Sequence, residues 1–190
     1  LGDSIMNTGV FPMEMWEKYG IAGYNIASYG NTLPITYWAL QNALDYAKPK
    51  LVVLDVQGVS KSYKLSGNSS DVHTAFDCYS ISKTKIEALD DLMDDPNAVD
   101  DDGVAYVDMK WEYLFTLGKY HARWSELTDT DFHPVYNREK GAKSVIAVAD
   151  VGDYDLIDED MATEESGQTG FVYLRKIIED CQARGIEVLL

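Results

Sequence analysis

The run KLVVLDV, Lys50 to Val56, decides how the chain is read. It has the length of a strand, is rich in β-branched residues, and lacks strict alternation of apolar and polar positions. A strand of that kind is buried on both faces, as in a parallel sheet covered by helices. The segments around it fit the same grammar. LPITYWALQNALDYAK before it reads as a helix, with Pro34 near its start, Pro49 past its end, and Ile35, Trp38, Ala39, Ala43 and Tyr46 near one face. Earlier still, FPMEMWEKYG reads as a short helix with Pro12 in its first turn and Gly20 beyond its end. AGYNIAS, between those two helices, reads as a strand. At the far end, GFVYLRKIIEDCQARG reads as an amphipathic helix closed by Gly185, and IEVLL as a further buried strand.

Alternating strands and helices at both ends predict an α/β fold: a parallel sheet flanked by helices in three layers, of flavodoxin-like type. The chain of 190 residues suits one domain over 1–190. Residues 60–166 break the alternation and read as a long insertion or cap after the third strand. They include the polar KLSGNSSD, a helical SISKTKIEALDDLMDD and an aromatic VDMKWEYLFTLGKYHARWSEL.

Thirty-two acidic residues against 16 basic ones leave a net charge of −16, which argues against nucleic-acid or anionic-membrane binding through a general basic field. No apolar run is long enough to span a bilayer. Cys78 and Cys181 have no metal-ligand spacing; one disulfide or two separate thiols are both open. DDLMDDPNAVDDDG holds seven aspartates in fourteen residues but lacks the order of a calcium loop, so it reads as a solvated acidic loop and no metal is assigned.

Three short polar stretches follow expected strands: GDS at 2–4, YGN at 29–31 and VQG at 56–58. In an open α/β sheet the strand ends form the binding crevice, so stretches distant in sequence meet there. Acyl transfer needs a nucleophile and donors aimed at the oxygen that becomes negative. Ser4 has the hydroxyl. The backbone N–H groups of Ser4 and Gly30, with the Gln57 side-chain amide, have the donors. Asn31 reads equally as a pocket residue or a turn former.

This set resembles the SGNH/GDSL hydrolase family, with GDS as its first block, an isolated glycine after the second strand and a third block after the next. The third block departs from the family's Gly-x-Asn-Asp: Gln57 stands at the asparagine and Gly58 at the aspartate, which keeps a carboxamide donor. In this it is more similar to the extracytoplasmic acyl-transfer branch that acts on cell-surface polymers, and YHARWSELTDTDF resembles a segment of bacterial members. The resemblance covers residues 1–60 well and 168–190 as topology only. It implies an SGNH-hydrolase fold and serine-dependent ester hydrolysis or O-acyl transfer on an acylated carbohydrate or cell-surface polymer. Ser4 is then the nucleophile, Gly30 and Gln57 form the oxyanion hole, and no cofactor is needed. It also implies an Asp-x-x-His pair that nothing here matches. The chain begins with Leu rather than Met and is expected to lack both ends of the domain, with the pair lying outside it.

Of the three histidines, His73 lies in a polar stretch and His133 precedes Pro134 in a loop. His121, flanked by Tyr120, Arg123 and Trp124, reads either as packed under an aromatic cap or, with Arg123, as a substrate contact. The alternative to an enzyme is a catalytically silent glycan-binding module, using aromatic residues of the insertion as stacking surfaces.

Overall fold

Helix punctuation shapes the first half of the chain. The computed structural model describes residues 1–60, 63–100, 102–133, 138–145 and 164–190, with all side chains there except those of 60, 65–68 and 164–168. Helix α1 (Ser4–Gly9) starts at Asp3, whose carboxylate accepts the Ile5 N–H at 3.0 Å. Helix α2 (Pro12–Tyr19) opens on its proline and closes on Gly20 in the left-handed conformation. Helix α3 (Leu33–Leu44) carries Pro34 in its first turn and buries residues on several sides, among them Leu33, Ile35, Thr36, Ala39 and Leu40.

Strand β1 (Leu51–Val53) is followed by a 3-10 turn at Gln57–Ser60, then α4 (Leu65–Phe76) and α5 (Lys83–Leu92), the latter capped by the Ser82 hydroxyl. Three short helices come next: α6 (Lys110–Leu114), α7 (Thr116–Tyr120) and α8 (Asp129–Phe132). The long α9 (Glu164–Ala183) leads through Gly185 to β2 (Glu187–Leu189). Strands β1 and β2 pair in parallel, Leu51 opposite Glu187 and Val53 opposite Leu189. Leu1 lies along β1 as well, its N–H donating to the Val53 carbonyl and its carbonyl accepting from Asp55 N–H at 2.9 Å.

These elements overturn the expected fold class. The structure is mostly helical, and among the described residues the sheet has two strands of three residues each. It is not a flavodoxin-like three-layer α/β fold. The physical reason lies in the expected strands. Within KLVVLDV, Val52 is buried but Leu51 is about half exposed, so the strand is covered on one face rather than two. AGYNIAS forms no strand at all. Asn25 is buried there and ties the segment down with its side chain, donating from Nδ2 to the carbonyls of Met6 (2.7 Å) and Val10 (3.0 Å). Its Oδ1 accepts the Ala27 N–H, and the Asn25 N–H donates to Lys140. Backbone groups satisfied in this way have no need of a neighbouring strand.

Two apolar clusters form the interior. One gathers Ile35, Val72, Phe76, Leu89, Met93 and Tyr113; the other gathers Leu33, Leu40, Leu54, Tyr173, Ile177 and Cys181. Helix α3 serves both. Helices α4 and α5 thus pack directly against α3, while the stretch 146–163 of the expected insertion lies outside the described residues. Cys78 is exposed and Cys181 buried, both as free thiols. Among the described residues no helix is long and apolar enough to cross a membrane.

Candidate functional site

The three polar stretches meet. Gly2 leads into α1 with φ +142°, and a methyl group built on it would stand 2.5 Å from the Asp55 Cβ, so the first stretch lies flat on the segment after β1. The Gly2 carbonyl accepts hydrogen bonds from the Ser28 N–H and the Asn31 side-chain amide, both at 3.3 Å. That joins the first stretch to the second. Gly58 approaches the second stretch too, its Cβ direction 3.7 Å from the Asn31 carbonyl. Asp55 organises the third stretch by accepting the Gln57 N–H on Oδ1 at 2.9 Å.

Ser4 is the first residue of α1 and is half-buried; its carbonyl accepts the Thr8 hydroxyl at 2.8 Å. Gln57 and Gly30 are exposed, and Gly30 takes φ +72°, a conformation that favours glycine. Asn31 is 3% exposed and faces inward, so it holds the Gly2 carbonyl instead of lining an open pocket. Among the described residues its Oδ1 and the neighbouring Thr32 hydroxyl are buried with no hydrogen-bond partner.

Two carboxylates at the site were not foreseen. Asp55 sits between Gly2 and Gln57. Asp71, on α4, presses its carboxylate against Gly30 so closely that a methyl group there would overlap it, with the carboxyl carbon at 2.6 Å. No spacing signal links residue 30 to residue 71; only the packing of α4 brings them together. Asp3 caps α1, and the Lys143 ammonium stands over the Tyr29 ring 4.8 Å from its centroid, so charges of both signs surround the three stretches.

Each histidine is engaged with residues outside these stretches. His73, 9% exposed on α4, bonds through Nδ1 to Asp77 at 2.9 Å and stacks on Tyr113 with ring centroids 3.8 Å apart. Tyr120 donates its hydroxyl to the other oxygen of Asp77 at 2.6 Å. Burial pushes the Asp77 carboxyl up, but the hydrogen bonds from His73 and Tyr120 outweigh it and hold the group below the ordinary carboxylate value. The Tyr120 phenol is pushed up to about 12, by burial first and then by Asp77. His121 is exposed and within hydrogen-bonding distance of the Gly118 carbonyl; Arg123 pairs with Asp131 at 3.1 Å; His133 lies 3.9 Å from Asp129. The structure therefore brings Ser4, Gly30, Asn31 and Gln57 into one neighbourhood, and leaves His121 and Arg123 on the exposed segment of α7 and the turn after it. Among the described residues no group of three or more His, Cys, Asp or Glu side chains is arranged to hold a metal ion.

Compared with family models, with curated proteins and with solved structures, the chain matches none.

Proposed function

We propose that the protein carries the nucleophile side of a serine-dependent site for ester hydrolysis or O-acyl transfer, acting on an acylated carbohydrate or cell-surface polymer. The observation that carries this reading is the joining of the three stretches: Gly2 is hydrogen-bonded to Ser28 and Asn31, and stacked on Asp55, which holds Gln57. Ser4 Oγ attacks the acyl carbonyl and forms the new ester bond. The substrate's C–O bond breaks, and the serine proton passes through a general base to the departing alkoxide. Water or an acceptor hydroxyl then takes the acyl group. Donors from the Gly30 turn and Gln57 hold the oxyanion. The reading requires a general base; the observed partners of the three histidines are Asp77 and Tyr113 for His73, the Gly118 carbonyl for His121 and Asp129 for His133. A fluorophosphonate probe tests it: the protein is labelled on serine, and Ser4→Ala abolishes the labelling. Labelling that persists in Ser4→Ala overturns it.

A second reading, a glycan-binding module without catalysis, has its own observation. Trp111 and Phe115 on α6 and just after it are largely exposed and stack on each other, centroids 5.5 Å apart and planes 18° from parallel. They border a hollow of about 360 Å³ with Glu112, Gly118 and Lys119, an aromatic surface flanked by polar groups of the sort that sugars stack on. Polysaccharide binding that survives Ser4→Ala and is lost in Trp111→Ala, in a protein that no phosphonate labels, favours this reading over the first.

A further inference from the structure

We propose that the cavity between α3, the end of α5 and α9 is a binding site for a small organic ammonium ion, seated on Asp91 and held at the mouth by Asp94 and Asp95. The proposal goes beyond the reading of Ser4 as a nucleophile and does not depend on it.

The cavity holds about 540 Å³, within the range of about 300–1,000 Å³ usual for small-molecule sites. Pro34, Leu92, Ala98 and Val99 give it apolar walls, and Tyr63 and Tyr173 add phenol rings. Both phenol hydroxyls are spent on the protein itself. Tyr63 donates to the Leu92 carbonyl at 3.0 Å, and Tyr173 donates to Asp91. Burial first, with Asp91 and Asp94 among the groups that add to it, holds both phenols well above their ordinary range, so they stay neutral. The charge in the cavity therefore comes from Asp91, Asp94, Asp95 and Lys64.

Asp91 decides the sign of the ligand. It is half-buried, and its two hydrogen bonds come from neutral donors on one oxygen, the Trp38 indole N–H at 2.6 Å and the Tyr173 hydroxyl. Among the described residues no lysine, arginine or histidine forms an ion pair with Asp91, Asp94 or Asp95. Lys64 is itself engaged, but with none of these three. Lys176 stands over the Tyr173 ring, 4.1 Å from its centroid, and is not part of the lining. A carboxylate drawn away from water costs free energy until a cation meets it. Three carboxylates against one ammonium leave the cavity short of positive charge. The missing cation is organic. Among the described residues these carboxylates are not arranged to hold a metal ion, and the space is far larger than a bare ion fills. An ammonium on an apolar stem satisfies both parts of the lining, its charge meeting the carboxylates and its stem the walls and rings.

The probe is 1,4-diaminobutane, which carries an ammonium at each end at neutral pH, titrated calorimetrically at fixed salt concentration. Its uncharged counterpart 1,4-butanediol and magnesium chloride are the controls. Native protein is expected to bind one diamine saturably and to give no heat with the diol. The amides of Asn97, Ala98 and Thr169 should shift in ¹H–¹⁵N spectra as it binds. Asp91→Asn, which keeps a carbonyl oxygen for Trp38 and Tyr173, is expected to weaken binding about tenfold or more. The double variant Asp94→Asn/Asp95→Asn changes two exposed residues and is expected to weaken it about tenfold. Glu14→Gln/Glu17→Gln, which removes the same charge from α2, should leave the affinity unchanged. Absence of saturable binding to the native protein overturns the proposal. An equal loss in the α2 variant overturns it too, because the attraction would then be that of the whole acidic chain. Magnesium bound as tightly and shifting the same amides would make this a metal site and overturn the organic cation.

Discussion

At Gly30 a single missing side chain meets two demands. The backbone is left-handed there, and the Asp71 carboxylate fills the space a methyl would need. Gly30→Ala therefore meets backbone strain of ~1–2 kcal/mol and steric overlap besides. Urea unfolding is expected to show a total loss of about 2–4 kcal/mol. In an Asp71→Ala background the overlap disappears and only the strain remains, so the same substitution costs about 1–2 kcal/mol there. Equal losses in both backgrounds would mean that the carboxylate yields freely. Of this pair, one member was readable from sequence. Gly30 stands out as a glycine in a polar stretch beside Asn31, whereas Asp71 sits in SGNSSD, a polar run with nothing to tell it from a loop. The same limit applies to Asn31. Its type suggested a turn or a pocket, and only its burial shows that it holds the Gly2 carbonyl.

At the scale of the element, α4 shows why part of the fold was hidden. Serine, asparagine and glycine favour turns over helices, and the stretch before Val72 is made of them. The helix forms nonetheless because Val72, Ala75 and Phe76 recur at helical spacing and bury one face, and packing outweighs local preference. The opposite error occurred at 22–28, where apolar residues suggested a strand and one buried asparagine decided otherwise. Helices α2, α3 and α9 were legible because proline, glycine and an apolar face agreed. The C-terminal half of α4 is tied to α7 through Asp77, which accepts from His73 and Tyr120. The Asp77 carboxyl is held below its ordinary value in the folded protein, so the unfolded chain binds its proton more readily. This contribution to stability is complete above the ordinary carboxylate pKa and is lost as pH falls through the lower, folded value. Tyr120→Phe removes one of the two hydrogen bonds and is expected to cost about 1–2 kcal/mol at neutral pH. Urea midpoints measured from neutral pH down into the acid range should show the native and Tyr120→Phe curves converging as Asp77 is protonated. A gap that stays constant in acid would show that Asp77 is not its origin.

Across the whole molecule, the expectation of a three-layer sheet failed for a reason of scale. A parallel sheet needs several long strands covered on both faces, and β1 and β2 contribute three residues each with Leu51 and Leu189 exposed. What organises the interior instead is α3, with one apolar cluster on each side and a polar joint between them. That joint is Asp91 on α5. Its Oδ2 accepts the Trp38 indole N–H from α3 at 2.6 Å and the Tyr173 hydroxyl from α9. Three helices thus meet on one carboxylate oxygen, and burial together with Asp91 raises the Tyr173 phenol so that it stays a neutral donor. Removing the acceptor strands two donors at once. Asp91→Ala is expected to destabilise the fold by about 3–5 kcal/mol, while Asp91→Asn, which keeps one carbonyl oxygen, costs about 1–2 kcal/mol. The larger loss is comparable to the whole stability of many domains, so its effect on cooperativity is also measurable. In the native protein, amides on α5 and α9 should exchange with solvent through one shared opening. In Asp91→Ala, the α9 amides should be exposed at a lower denaturant concentration than those of α5, because the apolar contacts of α3 remain while the joint is gone. Exchange that stays shared in the variant would mean that α3 alone couples the two clusters and that Asp91 adds stability without adding cooperativity.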